Sequence, residues 1–347
     1  RWVAIAVKVI VVSLVLWASL ASDAGTILMD IQSGTIGYFG GWYVYASAVF
    51  MVMSLVLALV PRTGSIRLGA DHEKPEFSRF AWFSMMFGAG IGVGMLTYST
   101  AEPLAHFANN PDVIMGTTSA LERDNLAAAY KWTLLHYGLT PWGCYAIVGM
   151  SLAYFAYCRD LPLTIRSPFT ALLGPETARR VGAVVDAAAI LATIIGIGVT
   201  IGYGVNQLTF GMHQITAWEW LVSDGKPSLT ALSLAVILLT LAAMLSALSG
   251  IGRGIRWLSN LNMALSWLLL VIFIVFGATA FAGEMFVGGL TEYLRAIPAM
   301  SITIWDGGDT PTAQALSDWQ SAWTIFYWAW WIAFTPFVGL FLARVSQ

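Results

Sequence analysis

The chain has 347 residues, of which 58% are apolar and 10% charged, with a mean hydropathy of +0.73. Soluble domains carry about 25% charged residues, so this composition cannot cover a water-facing surface and excludes both a soluble globular protein and a disordered tail. The formal charge of −2, from 17 basic and 19 acidic residues, supplies no field for a nucleic acid or another polyanion.

A window of about 20 residues predicts eight transmembrane helices, at residues 2–21, 41–60, 80–98, 127–157, 184–213, 229–248, 257–282 and 320–343. The first run starts after Arg1, contains Lys8 and has no small-residue cleavage site behind it, so it reads as a span. Twelve of the 17 basic residues fall at the chain ends (Arg1, Arg344) or in every second loop: Arg62, Arg67, Lys74 and Arg79, then Arg159, Arg166, Arg179 and Arg180, then Arg253 and Arg256. The intervening loops at 22–40, 99–126, 214–228 and 283–319 are acidic and hold only Arg123, Lys226 and Arg295. The positive-inside rule then places the N-terminus in the cytoplasm. Lys8 and Lys131, at span ends, are expected to snorkel to the headgroups.

The third span carries Gly88, Gly90, Gly92 and Gly94 at alternate positions. Each interior glycine costs a helix about 1 kcal/mol against alanine. Two readings follow: a broken helix whose freed backbone groups meet a polar ligand or ion, or a small-residue packing face. No strand precedes the run, so it is not a dinucleotide loop.

The fourth span holds His136, Tyr137, Trp142 and Tyr145, and the eighth holds Trp323, Phe326, Tyr327, Trp328, Trp330, Trp331 and Phe334. Pairs at i,i+3 and i,i+4 are neighbours on a helix, which predicts a nearly continuous aromatic face, and interfacial belts do not explain such density in mid-span. Aromatic faces around a dry cavity attract a cation by about 2 kcal/mol or more per contact. A trimethylammonium group suits such a cage, which needs no acid, and Asp186 is the nearest acidic candidate within the spans. Cys144 and Cys158 lie 14 residues apart, about 21 Å on one helix, too far for a disulfide.

The segment from Gly69 to Pro103, with Pro75-Glu76-Phe77, the alternating glycines and Ala101-Glu102-Pro103, resembles the region leading into and through the third helix of the betaine/carnitine/choline transporters. The stretch from Phe326 to Ser346, with Pro336, Phe337 and Arg344, is similar to that family's eighth helix. The likeness runs through essentially the whole chain in order. It implies an all-α polytopic membrane protein with a leucine-transporter-like fold of twelve helices in two inverted five-helix repeats, only the first eight of the twelve being present in a C-terminally truncated chain. On that plan residues 1–79 are two N-terminal helices and a cytoplasmic loop, 80–282 the first repeat, 283–319 a periplasmic segment with an interfacial helix, and 320–347 the start of the second repeat.

The same resemblance makes Tyr137, Trp142 and Tyr145 one side of a substrate cage and Trp328, Trp330, Trp331 and Phe334 the other. Gly90, Ile91, Gly92 and Gly94 become the unwound stretch beside the substrate carboxylate, and Gly88, Ile91, Thr193 and Phe337 contacts for a possible sodium ion, the one coupling ion or cofactor expected. The chain departs from the betaine pattern in three places: Tyr137 and Phe334 replace Trp, Ile91 replaces Met, and Ile197 stands four residues after Thr193 where a second Thr is usual.

The implied function is import of a quaternary ammonium or related onium zwitterion, of the glycine betaine, choline or carnitine type, by alternating access across a bacterial inner membrane. A sulfonium importer, for dimethylsulfoniopropionate, is the alternative within the family. The amphipathic 283–300 segment, with Tyr293, Leu294 and Arg295, suggests a homotrimer. A channel would require a polar ring through the pore and a membrane enzyme a titratable constellation. The spans show no polar ring, His72, His106 and His213 lie at loops or span edges, and His136 stands alone in its span, so no catalytic residue is expected.

Overall fold

The computed structural model describes residues 2–70 and 72–346. Arg1, Asp71 and Gln347, with the side chains of residues 2–4 and of Arg179, lie outside the described residues, and so do two of the basic positions used to orient the chain, Arg1 and Arg179. In chain order the principal helices are α1 (Trp2–Leu20), α2 (Ala24–Leu59), α3 (Arg79–Gly90), α4 (Val93–Ala108), α5 (Leu126–Tyr137), α6 (Leu139–Tyr157), α7 (Ser167–Thr216), α8 (Leu229–Leu248), α9 (Arg256–Phe276), α10 (Thr279–Met300), α11 (Pro311–Gln320) and α12 (Phe326–Val345). Single π-turns at Ile251–Ile255 and Ser321–Ile325 lead into α9 and α12.

Local chemistry sets several starts. The Ser78 hydroxyl accepts the Ala81 N–H at α3, Ser228 accepts that of Ala231 at α8, and Thr310 accepts that of Ala313 at α11, where Pro311 takes the first helical position. Within α7, Gly174 adopts φ 73° just before Pro175. Only glycine enters that region without strain, so the helix breaks there.

Among the described residues, five helices are long and apolar enough to cross a bilayer: Ala24–Leu59, Arg180–Thr216, Leu229–Leu248, Ile251–Phe276 and Pro311–Val345. The pair Arg79–Gly90 and Val93–Ile114, bent by 63°, makes a sixth. The first expected span is the shorter apolar helix Ile5–Leu20, and the fourth is divided at Gly138.

Several stretches read as loop are helical, residues 24–40, 99–108, 167–182 and 311–319 among them. Residues 24–40 extend α2 by more than four turns. Glycines and Asp30 lower hydropathy there, yet a Cβ at Gly40 would sit 2.9 Å from the Ile325 side chain and one at Gly41 3.3 Å from that of Ile304, so packing rather than propensity fixes this end. Residues 99–108 continue α4, which carries Glu102 inside a helix rather than in a loop.

The chain forms two compact units. One comprises residues 1–74, 102–193 and 280–347. In it α6 packs between α2 and α12, and glycines permit the close approach: a Cβ at Gly143 would lie 2.6 Å from the Met51 Cα, and one at Gly339 2.6 Å from Val148 Cγ1. Small residues let helix backbones meet where lipid removes the hydrophobic drive for association. The Ser54 hydroxyl donates to the Gly143 carbonyl at 2.9 Å across the same contact. Helix α10, the expected amphipathic segment, buries Met285, Gly289, Tyr293, Ile297 and Met300 along one stripe and exposes Phe286, Val287 and Leu294.

The other unit comprises residues 75–101 and 194–279. Its α3 lies against α9, with Met85 and Met263 buried and Gly88 facing Ser259.

Candidate functional site

The alternating glycines coincide with both a helix break and close packing. The helical ladder stops at Ile91-Gly92, where Ile91 is extended at φ −95°, ψ 92°, and resumes at Val93. The same stretch also packs: Gly88 faces the Ser259 hydroxyl, Gly92 faces Thr200, and Gly204 receives Val93. Gly90 ends α3 and Gly94 lies in the first turn of α4.

A second break, at Gly138, sets the aromatic residues. Its backbone is non-helical (φ −89°, ψ −136°), and the Tyr293 hydroxyl enters the gap to accept the Leu139 N–H at 2.7 Å. A Cβ at Gly138 would lie 2.5 Å from that hydroxyl oxygen. An inserted side chain of this kind is a recognised cause of a helix kink. Tyr137 thereby closes α5, while Trp142 and Tyr145 open α6.

Four of the seven aromatic residues expected in the cage meet one another. The Trp331 ring centroid lies 5.2 Å from that of Tyr145, 6.3 Å from Tyr137 and 6.4 Å from Trp142. The Tyr137 and Tyr145 rings stand edge-on to it, the arrangement that ring quadrupoles favour. Trp331 and Tyr145 are buried, and Tyr137 and Trp142 are half-buried. Hydrogen bonds lock the group: Trp331 Nε1 donates to the His136 carbonyl at 3.1 Å and Trp142 Nε1 to the Tyr137 carbonyl at 3.0 Å.

The remaining three occupy other faces of α12. Trp328 is buried against the His136 ring. Trp330 stacks on Phe334 at 5.8 Å and lines a cleft of about 240 Å3 with Gln32, Tyr43 and Phe326. Successive residues on a helix diverge by about 100°, so the expected continuous face divides between Tyr327/Trp331 and Trp330/Phe334. Thr193 turns its hydroxyl to the Ala189 carbonyl at 2.7 Å, and Phe337 is exposed.

Beneath the cluster lies an assembly that the sequence reading missed. Glu102 and His106, one turn apart on α4, and His136 on α5 are fully buried. Glu102 Oε1 is 2.6 Å from His136 Nδ1 and 3.1 Å from His106 Nε2, and Oε2 is 2.5 Å from the Tyr327 hydroxyl. His136 Nε2 reaches Thr324 Oγ1 at 3.0 Å, from within the π-turn ahead of α12. The expectation that His136 stands alone is therefore corrected, as is the view that the spans lack a buried acid near the aromatics. Helical spacing of Glu102 and His106 was the available signal, hidden by assigning both to a loop.

Further polar contacts fix the end of α4. The Asn110 side-chain amide donates to Asn125 Oδ1 and to the His106 carbonyl, each at 2.7 Å, and Asn125 donates to the Phe107 carbonyl at 2.7 Å. Lys131, in α5, pairs with Asp112 at 2.8 Å.

The family model for the BCCT, betaine/carnitine/choline family transporters, matches residues 2–347. The chain belongs to this family. BCCT proteins are transporters and not enzymes, and the apolar helices accord with a multi-pass membrane protein. The chain is 38% identical over 96% of its length to an osmo-dependent choline transporter of Acinetobacter baylyi, covering 45% of that protein. It is 35% identical over its whole length to a glycine betaine transporter of Bacillus subtilis, covering 64% of it, and 39% identical over 88% to a high-affinity choline transport protein of Escherichia coli, covering 43%. It thus spans 43–64% of the length of these BCCT relatives.

Proposed function

We propose that this chain takes part in the inward movement of an onium compound, choline or glycine betaine in type, across a bacterial inner membrane by alternating access, with its N-terminus cytoplasmic. The observation that carries the reading is the convergence of Tyr137, Trp142 and Tyr145 on Trp331 at 5.2–6.4 Å, with no acidic side chain among them. A quaternary ammonium cannot donate hydrogen bonds and is held by ring faces. The broken α3–α4 pair supplies opened main chain of the kind that transporters place at binding sites. A leucine-transporter-like arrangement of inverted repeats accommodates both features, and the apolar outer face of α10 suits a homotrimer.

For a coupling sodium ion, the backbone around Gly88 and Ile91 offers carbonyl oxygens at a helix break, the donor type such an ion takes, while the Thr193 hydroxyl is already engaged within its own helix. The test is direct binding of glycine betaine, choline, carnitine and dimethylsulfoniopropionate to the purified full-length protein, with and without sodium, followed by tryptophan fluorescence. Saturable quenching by at least one onium compound supports the reading. No quenching by any of the four, with the protein monodisperse, overturns it.

A further inference from the structure

Three polar groups converge on the buried Glu102 carboxylate. His136 Nδ1 lies 2.6 Å and His106 Nε2 3.1 Å from Oε1, and the Tyr327 hydroxyl 2.5 Å from Oε2. Hydrogen bonds to the charged form hold a carboxylate ionised, and an ionised carboxylate accepts but cannot donate. All three neighbours are therefore donors, whatever the total charge on the two imidazoles.

One of these assignments carries through to the rings. A phenol has a single proton, and that of Tyr327 is committed to Glu102. The Tyr137 and Tyr327 hydroxyl oxygens stand 2.6 Å apart, a contact in which either atom could donate. With the Tyr327 proton engaged, Tyr137 has to be the donor, because two oxygens at that distance with no proton between them repel. The Tyr137 proton is then committed in its turn. Toward a ligand, its oxygen has lone pairs to offer and no proton.

The position of Tyr137 makes this polarity matter. Its half-buried ring stands edge-on to those of Tyr327, at 5.4 Å, and Trp331, at 6.3 Å. A cation recognised by Trp331 sits within about 6 Å of that ring's centroid, which brings a group two carbons from the nitrogen into the neighbourhood of Tyr137.

We propose that Glu102 and Tyr327 are positioning residues that fix Tyr137 as a hydrogen-bond acceptor. The cage on this account selects an onium ligand carrying a hydroxyl, of the choline type, over one carrying a carboxylate, of the glycine betaine type. A hydroxyl donates to the Tyr137 oxygen. A carboxylate has no proton to give and sets lone pairs against lone pairs. Sites that pair a substrate hydroxyl reject analogues lacking it more strongly than apolar pockets reject a change in size. The inference rests on the onium reading and adds to it the identity of the ligand's second functional group.

The experiment is a tryptophan-fluorescence titration of the full-length protein in lipid nanodiscs with choline, glycine betaine and propyltrimethylammonium, in which a methyl group replaces choline's hydroxyl. The wild type should bind choline about fivefold tighter than propyltrimethylammonium, the effect of one hydrogen bond, and tighter than glycine betaine. Tyr137→Phe should close the first gap by raising the choline Kd about fivefold, while glycine betaine binds as before or tighter. Tyr327→Phe turns the Tyr137 proton toward the ligand and should favour glycine betaine over choline by about tenfold relative to the wild type, as for a hydrogen bond to a charged group. A merely structural loss would weaken all three ligands together. Tyr137→Phe, at a half-buried position, decides the matter even where Tyr327→Phe fails to fold. Equal wild-type affinity for choline and propyltrimethylammonium, a wild-type preference for glycine betaine, or a Tyr137→Phe variant that weakens all three ligands alike or glycine betaine most overturns the proposal and leaves the onium reading in place. A wild-type protein that binds none of the three overturns both.

Discussion

Replacing Trp331 separates a cation–π cage from a merely apolar pocket. Trp331→Leu leaves an apolar side chain at a position that is 5% exposed while removing the ring that contacts Tyr137, Trp142 and Tyr145. A desolvated cation–π contact is worth about 2 kcal/mol, which corresponds to about a 30-fold rise in Kd for choline. Trp331→Phe keeps a ring but deprives the His136 carbonyl of the indole donor at 3.1 Å. A lost hydrogen bond of this kind costs about 1 kcal/mol, or about fivefold. The deciding comparison is with 3,3-dimethylbutanol, which has choline's shape without its charge. Fluorescence titration of both ligands should show that Trp331→Leu causes a large loss of affinity for choline and a small one for the neutral alcohol. Equal losses for the two ligands would show that volume, not charge, is recognised, and an unchanged choline Kd would remove Trp331 from the site altogether. Because truncating a buried Trp also costs about 3–5 kcal/mol of stability when taken to Ala, thermal unfolding and size-exclusion profiles accompany each titration.

Other outcomes follow from the packing and the polar contacts. Gly143→Ala places a Cβ 2.6 Å from the Met51 backbone and should lower stability by about 1–3 kcal/mol, read as a fall in Tm, whereas Gly34→Ala, with open space around it, should leave Tm unchanged or slightly raised. Asn110→Ala removes a buried side chain that caps Asp112 and Val113 and bonds Asn125; a loss of about 1–3 kcal/mol is expected from the unpaired groups, and an unaltered Tm would deny that this clasp holds α4. Tyr293→Phe withdraws the hydroxyl from the Gly138 break, leaving the Leu139 N–H unpaired, and should speed amide exchange at residues 138–140 in a hydrogen-exchange experiment while exchange in α8 stays as before.

The legible parts of the fold were those governed by local rules. Residues 229–248 are predominantly apolar with no charged residue and have a serine cap at Ser228, so their bounds agree with the helix observed. The break in the third span was legible because four glycines in seven residues weaken a helix whatever surrounds them. Helical residues 24–40 were not legible, since the side chains that pack on Gly40 and Gly41 come from Ile325 and Ile304, far along the chain. The split of the aromatic face was half legible: the pairs Tyr327/Trp331 and Trp330/Phe334 follow from helical spacing, but which pair meets Tyr145 depends on how α12 is rotated against α6, and that is set by contacts such as Gly339 on Val148.

Glu102 was obscured for a deeper reason. A carboxylate and a proline within one stretch end a hydropathy window, because each unsatisfied polar group in hydrocarbon costs several kcal/mol. That rule holds only while the partners are absent. Here they come from residues 4, 34 and 225 positions away, so the segment can remain helical only once α4, α5 and α12 have come together. Two of these helices, α5 and α12, carry Tyr137, Tyr327 and Trp331, and the same His136 residue that bonds Glu102 through its ring accepts Trp331 through its carbonyl. Burying the acid and positioning the rings are therefore one folding event, which is why a change at Glu102 should be felt at Trp331 without any contact between them being required.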